Sequence, residues 1–465
     1  MINKDTICAV STAPGNGAIA VIRLSGEKAL SICDKVFYPK TKEKKLIKQP
    51  ANTIHFGEIK DKDDIIDEVL VSIFKSPNSY TGEDIAEIFC HGASYIQQKI
   101  LQLFISCGAR MAQAGEFTMR AFLHGKMDLS QAEGVADLIA SSTEASHRIA
   151  IQQMRGGFSD EIRKLRTELL KFISLIELEL DFGEEDVEFA NRAELKILIE
   201  KIRVLLKRLT DSFEWGNALK NGIPVSIIGE PNVGKSTLLN VLLNDDRAIV
   251  SEIPGTTRDS IEDFITIDGI GFRFIDTAGL RKTTDTIETL GIERTHKKIQ
   301  QSSIVLLLID AEDIEIATKV KQTHARMQQN AKLIVVINKI DKLSREIENK
   351  DFKEIENLST NDSLVCISAK ERINIDKLIK RLIDVVNLSS LNQGDIIVTN
   401  ARHYEALSKA YEAICRATDG MEKEISSDFL AMDIREVLHY LGEITGEITT
   451  DEILGNIFEK FCIGK

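Results

Sequence analysis

The feature that most constrains this chain is the run Gly229-Glu230-Pro231-Asn232-Val233-Gly234-Lys235-Ser236, a match to the phosphate-binding pattern GxxxxGK[ST]. It follows an apolar segment, Val225 to Ile228, that reads as a strand, and precedes Thr237 to Leu243, which reads as a helix. Glycine permits the turn that aims backbone N–H groups at phosphates, and the helix N-terminus adds positive potential. A chain with this unit is directed toward a parallel α/β domain. Asn232, Val233, Gly234, Lys235, Ser236 and Thr237 are the expected phosphate contacts. Lys235 would reach the β- and γ-phosphates, and the Ser236 hydroxyl would bind magnesium.

Four further segments occur in the order such a site requires. Asp276-Thr277-Ala278-Gly279 ends an apolar-rich strand, with a carboxylate for the magnesium shell and the Gly279 N–H for the γ-phosphate. Gly255-Thr256-Thr257-Arg258-Asp259 lies where a switch loop belongs, and Thr257 is the magnesium ligand expected there. Asn338-Lys339-Ile340-Asp341 follows a strand. A carboxylate at Asp341 accepts from guanine N1–H and its 2-amino group, donors that adenine does not present on that edge. The backbone of Ser368-Ala369-Lys370 can support guanine O6. Together these specify GTP rather than ATP.

One part of the usual hydrolytic machinery is replaced. The position after Gly279, where a glutamine orients the attacking water in Ras-like GTPases, is Leu280, which neither accepts nor donates. Another water-orienting group and another counter-charge are therefore required. Asn232 offers an amide oxygen where a monovalent cation could sit, with carbonyls of the loop Ser251 to Thr256 as further ligands. The alternative is that Asn232 only shapes the loop. Asp285 and Glu288 are candidate carboxylates for water activation, or simply exposed switch-loop charge.

At 465 residues the chain needs more than one core. Residues 1–124 mix short β-type runs (Ile19 to Leu24, Glu68 to Phe74, Ile85 to Cys90) with turns and some helix, an α+β domain. Residues 125–217 are helical. Phe158, Ile162, Leu165, Leu169, Phe172, Ile176 and Leu180 form one helix face. After the acidic break Glu184 to Glu188, Leu195, Leu198, Ile202, Leu205 and Leu209 form another, with Asn191 and Glu194 as its cap. In residues 218–383 the near-continuous apolar runs Val225–Ile228, Ile304–Ile309, Leu333–Ile337 and Leu364–Ile367 read as parallel strands covered on both faces. Asp268-Gly269 marks a hairpin. Helical texture returns over 384–465, through Leu407, Tyr411 and Ile414 and then Phe429, Met432, Val437 and Leu441. The α/β unit is thus expected to be inserted into one helical domain, a separate C-terminal helical domain being the alternative. A net charge of −13 makes the chain a poor blanket binder of nucleic acid, though a local basic patch could exist. The lysine-rich stretches Lys40 to Lys48 and Lys201 to Arg208 read as solvated faces. Seven scattered cysteines without a CxxC pair exclude a zinc ribbon and argue against a disulfide framework. With no signal-type N-terminus and no run of membrane-spanning length, a soluble, cytoplasmic protein without a membrane partner is expected.

With these residues placed, the chain resembles the MnmE (TrmE) family of tRNA-modification GTPases over essentially its whole length. The resemblance rests on PNVGKS, PGTTRD, DTAGLR and NKID, and beyond the GTPase domain on Val21–Gly26, Tyr80–Asp84, Gly115–Thr118, Ala121–Leu123, Lys126–Glu133 and the tail Phe461–Lys465. It implies a homodimer with an N-terminal folate-binding, dimer-forming domain and a helical domain interrupted by the GTPase domain. It also implies joint action with the flavoprotein MnmG (an FAD protein, as a heterotetramer) to add a carboxymethylaminomethyl-type group at C5 of the wobble uridine of tRNA. Carried over by motif, Asn232, Ser251, Ile253 and Thr256 would coordinate potassium, Ser236 and Thr257 magnesium, and Glu288 would position the water. Arg23, Glu87, Lys126 and Lys465 match positions that contact a reduced folate, 5-formyl- or 5,10-methylene-tetrahydrofolate. Cys462 could attack C6 of the uracil. The tail is expected to fold back toward that folate site, on its own chain or on a second subunit. Glu230 stands where the family commonly has Arg, and Ala93 where a second Gly is common. The GTPase motifs alone would suit Era- or Der-like ribosome-assembly GTPases, but such factors usually carry a basic RNA-binding module, and none is recognisable in this acidic chain. A purely dimerising N-terminal domain without folate is a third reading.

Overall fold

A computed structural model of the chain describes residues 5–40, 45–181, 192–245, 248–250, 263–275, 299–313, 315–328, 330–342, 363–386, 396–423 and 425–464. These fall into two compact units, one of 1–136, 152–195 and 416–465, the other of 137–151 and 196–415.

The N-terminal part is a seven-stranded sheet of β1 (Ile7–Val10), β2 (Gly17–Ser25), β3 (Phe37–Pro39), β4 (Thr53–Asp61), β5 (Asp64–Phe74), β6 (Ile85–Gly92) and β7 (Arg110–Met111), in the order β3-β4-β5-β6-β2-β1-β7. Only β1 and β7 pair in parallel. Alternation decides its two faces. Ile22 and Leu24 of β2, Val69 and Val71 of β5 and Ile88 of β6 point into one core, which α2 (Ser94–Ser106) closes with Ile100 and Phe104 and α1 (Ala29–Cys33) with Leu30 and Ile32. On the other face the cross-strand row Phe56–Leu70–Phe89–Val21 stays open, with Phe56 49% and Leu70 44% exposed.

Helices α3 (Glu116–Leu123), α4 (Leu129–Ala140), α5 (Glu144–Met154), α6 (Gly157–Asp181), α7 (Arg192–Asp211) and α8 (Phe213–Asn221) follow. The buried stripe of α6 is Phe158, Ile162, Leu165, Leu169, Ile173 and Ile176, so Ile173 replaces the expected Phe172. On α7 Leu206 likewise takes the place of Leu205. Steps of three and four only average to the helical period, so a stripe drifts by a residue over several turns. Asn191 and Glu184 to Glu188 lie outside the described residues.

The α/β domain contains β8 (Ile223–Ile228), α9 (Lys235–Leu243), β9 (Ala248–Val250), β10 (Asp263–Ile267), β11 (Ile270–Phe274), β12 (Ile304–Asp310), α10 (Ile316–His324), β13 (Lys332–Asn338), β14 (Ser363–Cys366) and α11 (Ile375–Val386). Sheet order is β14-β13-β12-β8-β11-β10-β9, with β10 antiparallel to both neighbours. Its central strands are apolar throughout because both faces are covered. Ile304, Leu306 and Leu308 enter one core, and Val305, Leu307 and Ile309 the other. Asp268 (φ 47°) and Gly269 (φ 77°) form the two-residue β10–β11 turn, both in the left-handed region that a type I′ turn needs.

The chain then continues into α12 (Ala401–Glu422), α13 (Ser427–Thr445) and α14 (Asp451–Phe458). On α13, Leu430, Ile434, Val437, Leu438 and Leu441 are buried, whereas Phe429 and Met432, expected on the packed face, are 63% and 61% exposed. Met432 is two residues from Ile434, roughly 200° around the helix, so both cannot face the same partner. Helix α13 packs along α6. Arg166 Nε donates to the Leu438 carbonyl (3.3 Å), and Arg435 pairs with Glu177 at 2.7 Å. Helices from both sides of the α/β domain thus share one packing, which makes that domain an insertion.

Candidate functional site

The phosphate-binding loop joins β8 to α9, as the apolar-run, glycine-turn, helix order requires. Gly229 (φ 149°) leaves β8 so close to β12 that a Cβ would stand 2.3 Å from the Leu308 carbonyl oxygen. Asn232 is exposed in a left-handed conformation (φ 62°), and Val233 is buried beneath it. Gly234 (φ 101°) opens α9, whose first residues are Lys235, Ser236 and Thr237. Lys235 Nζ donates to the carbonyls of Gly229 (2.8 Å) and Glu230 (2.6 Å), which holds the ammonium on the loop itself. The Glu230 carboxylate pairs with Lys319 of α10 at 2.6 Å, an attachment for which the sequence carried no signal.

The Asn338–Asp341 and Ser368–Lys370 segments, expected to read the base, sit at the C-terminal ends of β13 and β14. Asn338 is 2% exposed. Its Nδ2 donates to the Val233 carbonyl (2.8 Å), and its Oδ1 accepts from the Ala369 N–H (2.9 Å). This one amide therefore staples the phosphate loop to the Ser368–Lys370 loop. Lys339 (φ 69°) pairs its Nζ with Asp310 at the end of β12 (2.7 Å). Burial pushes the Asp310 carboxyl up, but the Lys339 ammonium and the Glu312 N–H together, with Lys342, outweigh it and hold the group below its usual range. Asp310 was not singled out from the sequence. The Ser368 hydroxyl donates to Asp341 Oδ1 (2.6 Å), and this bond keeps the Asp341 carboxyl below its ordinary value, ionised and able to accept. Lys370 pairs with Glu371 at 3.2 Å. Ser251, Ile253, Thr256, Thr257, Asp276, Thr277, Ala278, Gly279, Leu280, Asp285 and Glu288 lie outside the described residues.

A second cluster occupies the N-terminal sheet. Arg23 of β2 and Glu87 of β6 are cross-strand partners on the open face, and both Nε and a terminal nitrogen of Arg23 reach Glu87 Oε1 at 2.8 Å. The guanidinium lies 5.4 Å from the centre of the Tyr80 ring and 5.5 Å from that of Phe117. Lys126 Nζ donates to the Pro77 carbonyl (2.8 Å), at the other side of the 77–84 segment. That segment is held by Glu83, which accepts from Ser25 (2.6 Å) and pairs with Arg120 (3.0 Å). Arg120, 3% exposed, also pairs with Asp5 (2.7 Å) and Glu116 (3.0 Å).

The tail returns to its own chain. The Gly115 N–H donates to the Cys462 carbonyl (3.4 Å), Ile463 bridges Ala114, and the Ser11 hydroxyl donates to the Gly464 carbonyl (2.9 Å). Gly464 (φ 99°) is so close to β1 that a Cβ would stand 2.1 Å from the Val10 carbonyl oxygen. Upstream, Phe458 and Phe461 pack with Leu129 and Ala132 of α4. Docking on a second subunit is thus not needed to bring residues 461–464 to the N-terminal sheet. Cys462 is exposed, and Lys465 lies outside the described residues.

Comparison with known proteins adds an independent line. The family model for the MnmE helical domain matches residues 129–462, and that for the GTP-binding protein TrmE N-terminus matches residues 6–126. The chain is 56% identical to the tRNA modification GTPase MnmE of Flavobacterium johnsoniae over 100% of both chains. It is also 56% identical to that of Bacteroides thetaiotaomicron, again over 100% of both. Among solved structures, Era in complex with MgGDPNP and a 16S ribosomal RNA fragment is 28% identical over 41% of this chain and 66% of that one, with a TM-score of 0.26. The G domain of the T. maritima FeoB iron transporter is 22% identical over 36% of this chain and 99% of that one, also at 0.26.

Proposed function

The chain belongs to the MnmE family and is a GTP hydrolase acting in tRNA modification, and from that premise we propose that it is a potassium-activated GTPase which, with an MnmG-like FAD protein, adds a carboxymethylaminomethyl-type group at C5 of the wobble uridine of tRNA. The observation that best supports the GTP end is the Asn338 staple, which brings the phosphate loop and the base loop within one amide of each other beside the ionised Asp341. In this reading Ser236 and Thr257 hold magnesium, and Asp276 supports its shell. Glu288 orients the attacking water, and potassium, held by Asn232, Ser251, Ile253 and Thr256, supplies the charge that Leu280 cannot. The exposed, left-handed Asn232 fits that role, since its amide is free of the buried loop floor formed by Val233. Hydrolysis is expected to run at least tenfold faster in potassium than in sodium, whose shorter oxygen contacts fit poorly in a site shaped for the larger ion. Glu288→Ala should lower turnover strongly while nucleotide affinity stays near that of the parent, because its contribution is confined to the transition state. Steady-state rates in the two salts, with equilibrium binding of a GTP analogue, check both.

The modification end would lie on the open face of the N-terminal sheet, with a reduced folate supplying the one-carbon unit. The residue chemistry suits such a ligand. Glu87 is a carboxylate acceptor for pterin N–H groups, and Arg23, Lys126 and Lys465 are cations for its anionic groups. The open row Phe56–Leu70–Phe89–Val21 is an apolar surface that a second copy of the chain could cover, in keeping with a homodimer. Cys462 would add its thiolate to C6 of the uracil, making C5 the nucleophile. After bond formation at C5, loss of the C5 proton and expulsion of the thiolate would restore the ring. Nucleoside mass analysis of tRNA from cells lacking the gene tests the function directly. Such cells should lose the modified wobble uridine, and the intact gene should restore it. A Cys462→Ser gene should fail to restore it although the purified protein retains potassium-stimulated hydrolysis. Restoration at the parental level would remove the thiol from the chemistry. The Era/Der-like alternative predicts normal nucleosides and altered ribosomal particles.

A further inference from the structure

The β10–β11 hairpin is continuous in sequence with the two segments proposed to respond to the nucleotide, Gly255–Asp259 before it and Asp276–Gly279 after it. At its far end, the Asp268–Gly269 turn meets the start of α5. The first N–H groups of a helix have no partner within the helix. In α5 the Ser146 N–H is taken by Thr143 Oγ1 (3.1 Å), and the Ala145 N–H donates instead to the Gly269 carbonyl at 3.1 Å. A turn of the GTPase domain thus serves as part of the cap of α5, a helix that precedes that domain in the chain.

The contact is close on every side. A Cβ on Gly269 would stand 2.9 Å from Glu144 Cβ, and one on Gly271 would stand 3.2 Å from Thr143 Cγ2 and 2.4 Å from the Phe264 ring. Ala145 and Ile149 of α5 pack on the same apolar core as Ile270 of β11. A second attachment lies on α4, where Asp137 pairs with Lys220 of α8 at 2.7 Å. Thr143, 8% exposed, is tied to Ser146 by reciprocal bonds, so the α4–α5 corner is stiff. A packed contact of this kind hands on a displacement rather than absorbing it.

We infer that the docking of the Asp268–Gly269 turn on the first turn of α5 carries the nucleotide state of the GTPase domain into the helical part of the chain, with Gly269 and Glu144 as its positioning residues. Neither residue belongs to the GTP-binding motifs. The inference rests on the GTP-hydrolase assignment and needs none of the proposed uridine chemistry.

Gly269→Asn tests it, because asparagine tolerates the left-handed conformation that the turn requires while adding a Cβ against Glu144. In the full-length parent protein, hydrogen exchange at Ala145 and the first turn of α5 should differ by about tenfold between the GDP-bound form and the form bound to a non-hydrolysable GTP analogue. In Gly269→Asn that difference should vanish, while GTP affinity and hydrolysis stay within about twofold of the parent and tRNA modification falls by about tenfold or more. Adding Glu144→Gly, which removes the opposing Cβ, should restore both the exchange difference and the modification. Equal exchange in the two nucleotide states of the parent overturns the inference, whatever the tRNA result. So does a modification defect that Glu144→Gly fails to rescue, or hydrolysis falling in parallel with modification. An exchange difference present in a protein that modifies no tRNA would uphold the inference and count against the uridine chemistry alone.

Discussion

Exchanging Asp341 for asparagine is expected to exchange the nucleotide that the protein prefers. In the proposed reading the carboxylate would accept from two guanine donors, N1–H and the 2-amino group, and the Ser368 hydroxyl at 2.6 Å keeps it ionised. Asparagine retains one acceptor for N1–H but turns an NH₂ toward the 2-amino group, so two donors face each other. Charge-assisted hydrogen bonds of this kind contribute roughly 1.5–3 kcal/mol each, and losing one while opposing the other should raise the Kd for GTP about a hundredfold or more. Xanthosine triphosphate carries a carbonyl where guanine has its amino group. The same NH₂ then finds an acceptor, so its affinity should rise. Titration of both nucleotides into the parent and Asp341→Asn proteins measures the crossing. A variant that still binds GTP as the parent does would remove Asp341 from base recognition.

Gly234→Ala should be nearly as damaging, for a reason that lies in packing rather than in contact with nucleotide. At φ 101° alanine costs about 1–2 kcal/mol in backbone strain. Its Cβ would also stand 2.3 Å from Asn338 Nδ2. Asn338 cannot retreat without releasing the Val233 carbonyl and the Ala369 N–H together, each a buried polar group worth roughly 1–3 kcal/mol when left unpaired. The phosphate loop and the base loop should therefore come apart, raising the Kd for GTP by about two orders of magnitude and lowering Tm by a few degrees. Fluorescent-nucleotide titration and thermal unfolding read the two effects. Unchanged affinity would mean that the staple is not what holds the two loops in register.

Much of this protein was legible before any coordinates. The phosphate loop, the strands on either side of it and the Asp268-Gly269 turn are local: each depends on residues a few positions apart whose conformational demands do not change with context. The near-continuous apolar strands likewise announce that both faces are covered, since one solvated face would have imposed alternation. Helix faces were legible only to within a residue. Ile173 and Leu206 displaced Phe172 and Leu205, and Phe429 and Met432 came out on the exposed side, because periodicity defines a stripe while the neighbouring helix selects its edge.

What the sequence by itself determined is therefore local: a phosphate-loop motif between a strand and a helix, apolar strands covered on both faces, a two-residue turn, and a family to which the chain belongs. Tertiary structure decided what connects these parts, namely the Asn338 amide between two loops 105 residues apart at Val233, the Glu230–Lys319 pair, the Asp310–Lys339 pair, the return of Gly464 to Ser11 across 453 residues, and the Gly269 carbonyl on the α5 amide. Each joins groups far apart in the chain, and none has a partner specified by local spacing. A motif records what a short segment must do to its ligand, whereas a long-range hydrogen bond exists only once folding has placed both of its ends.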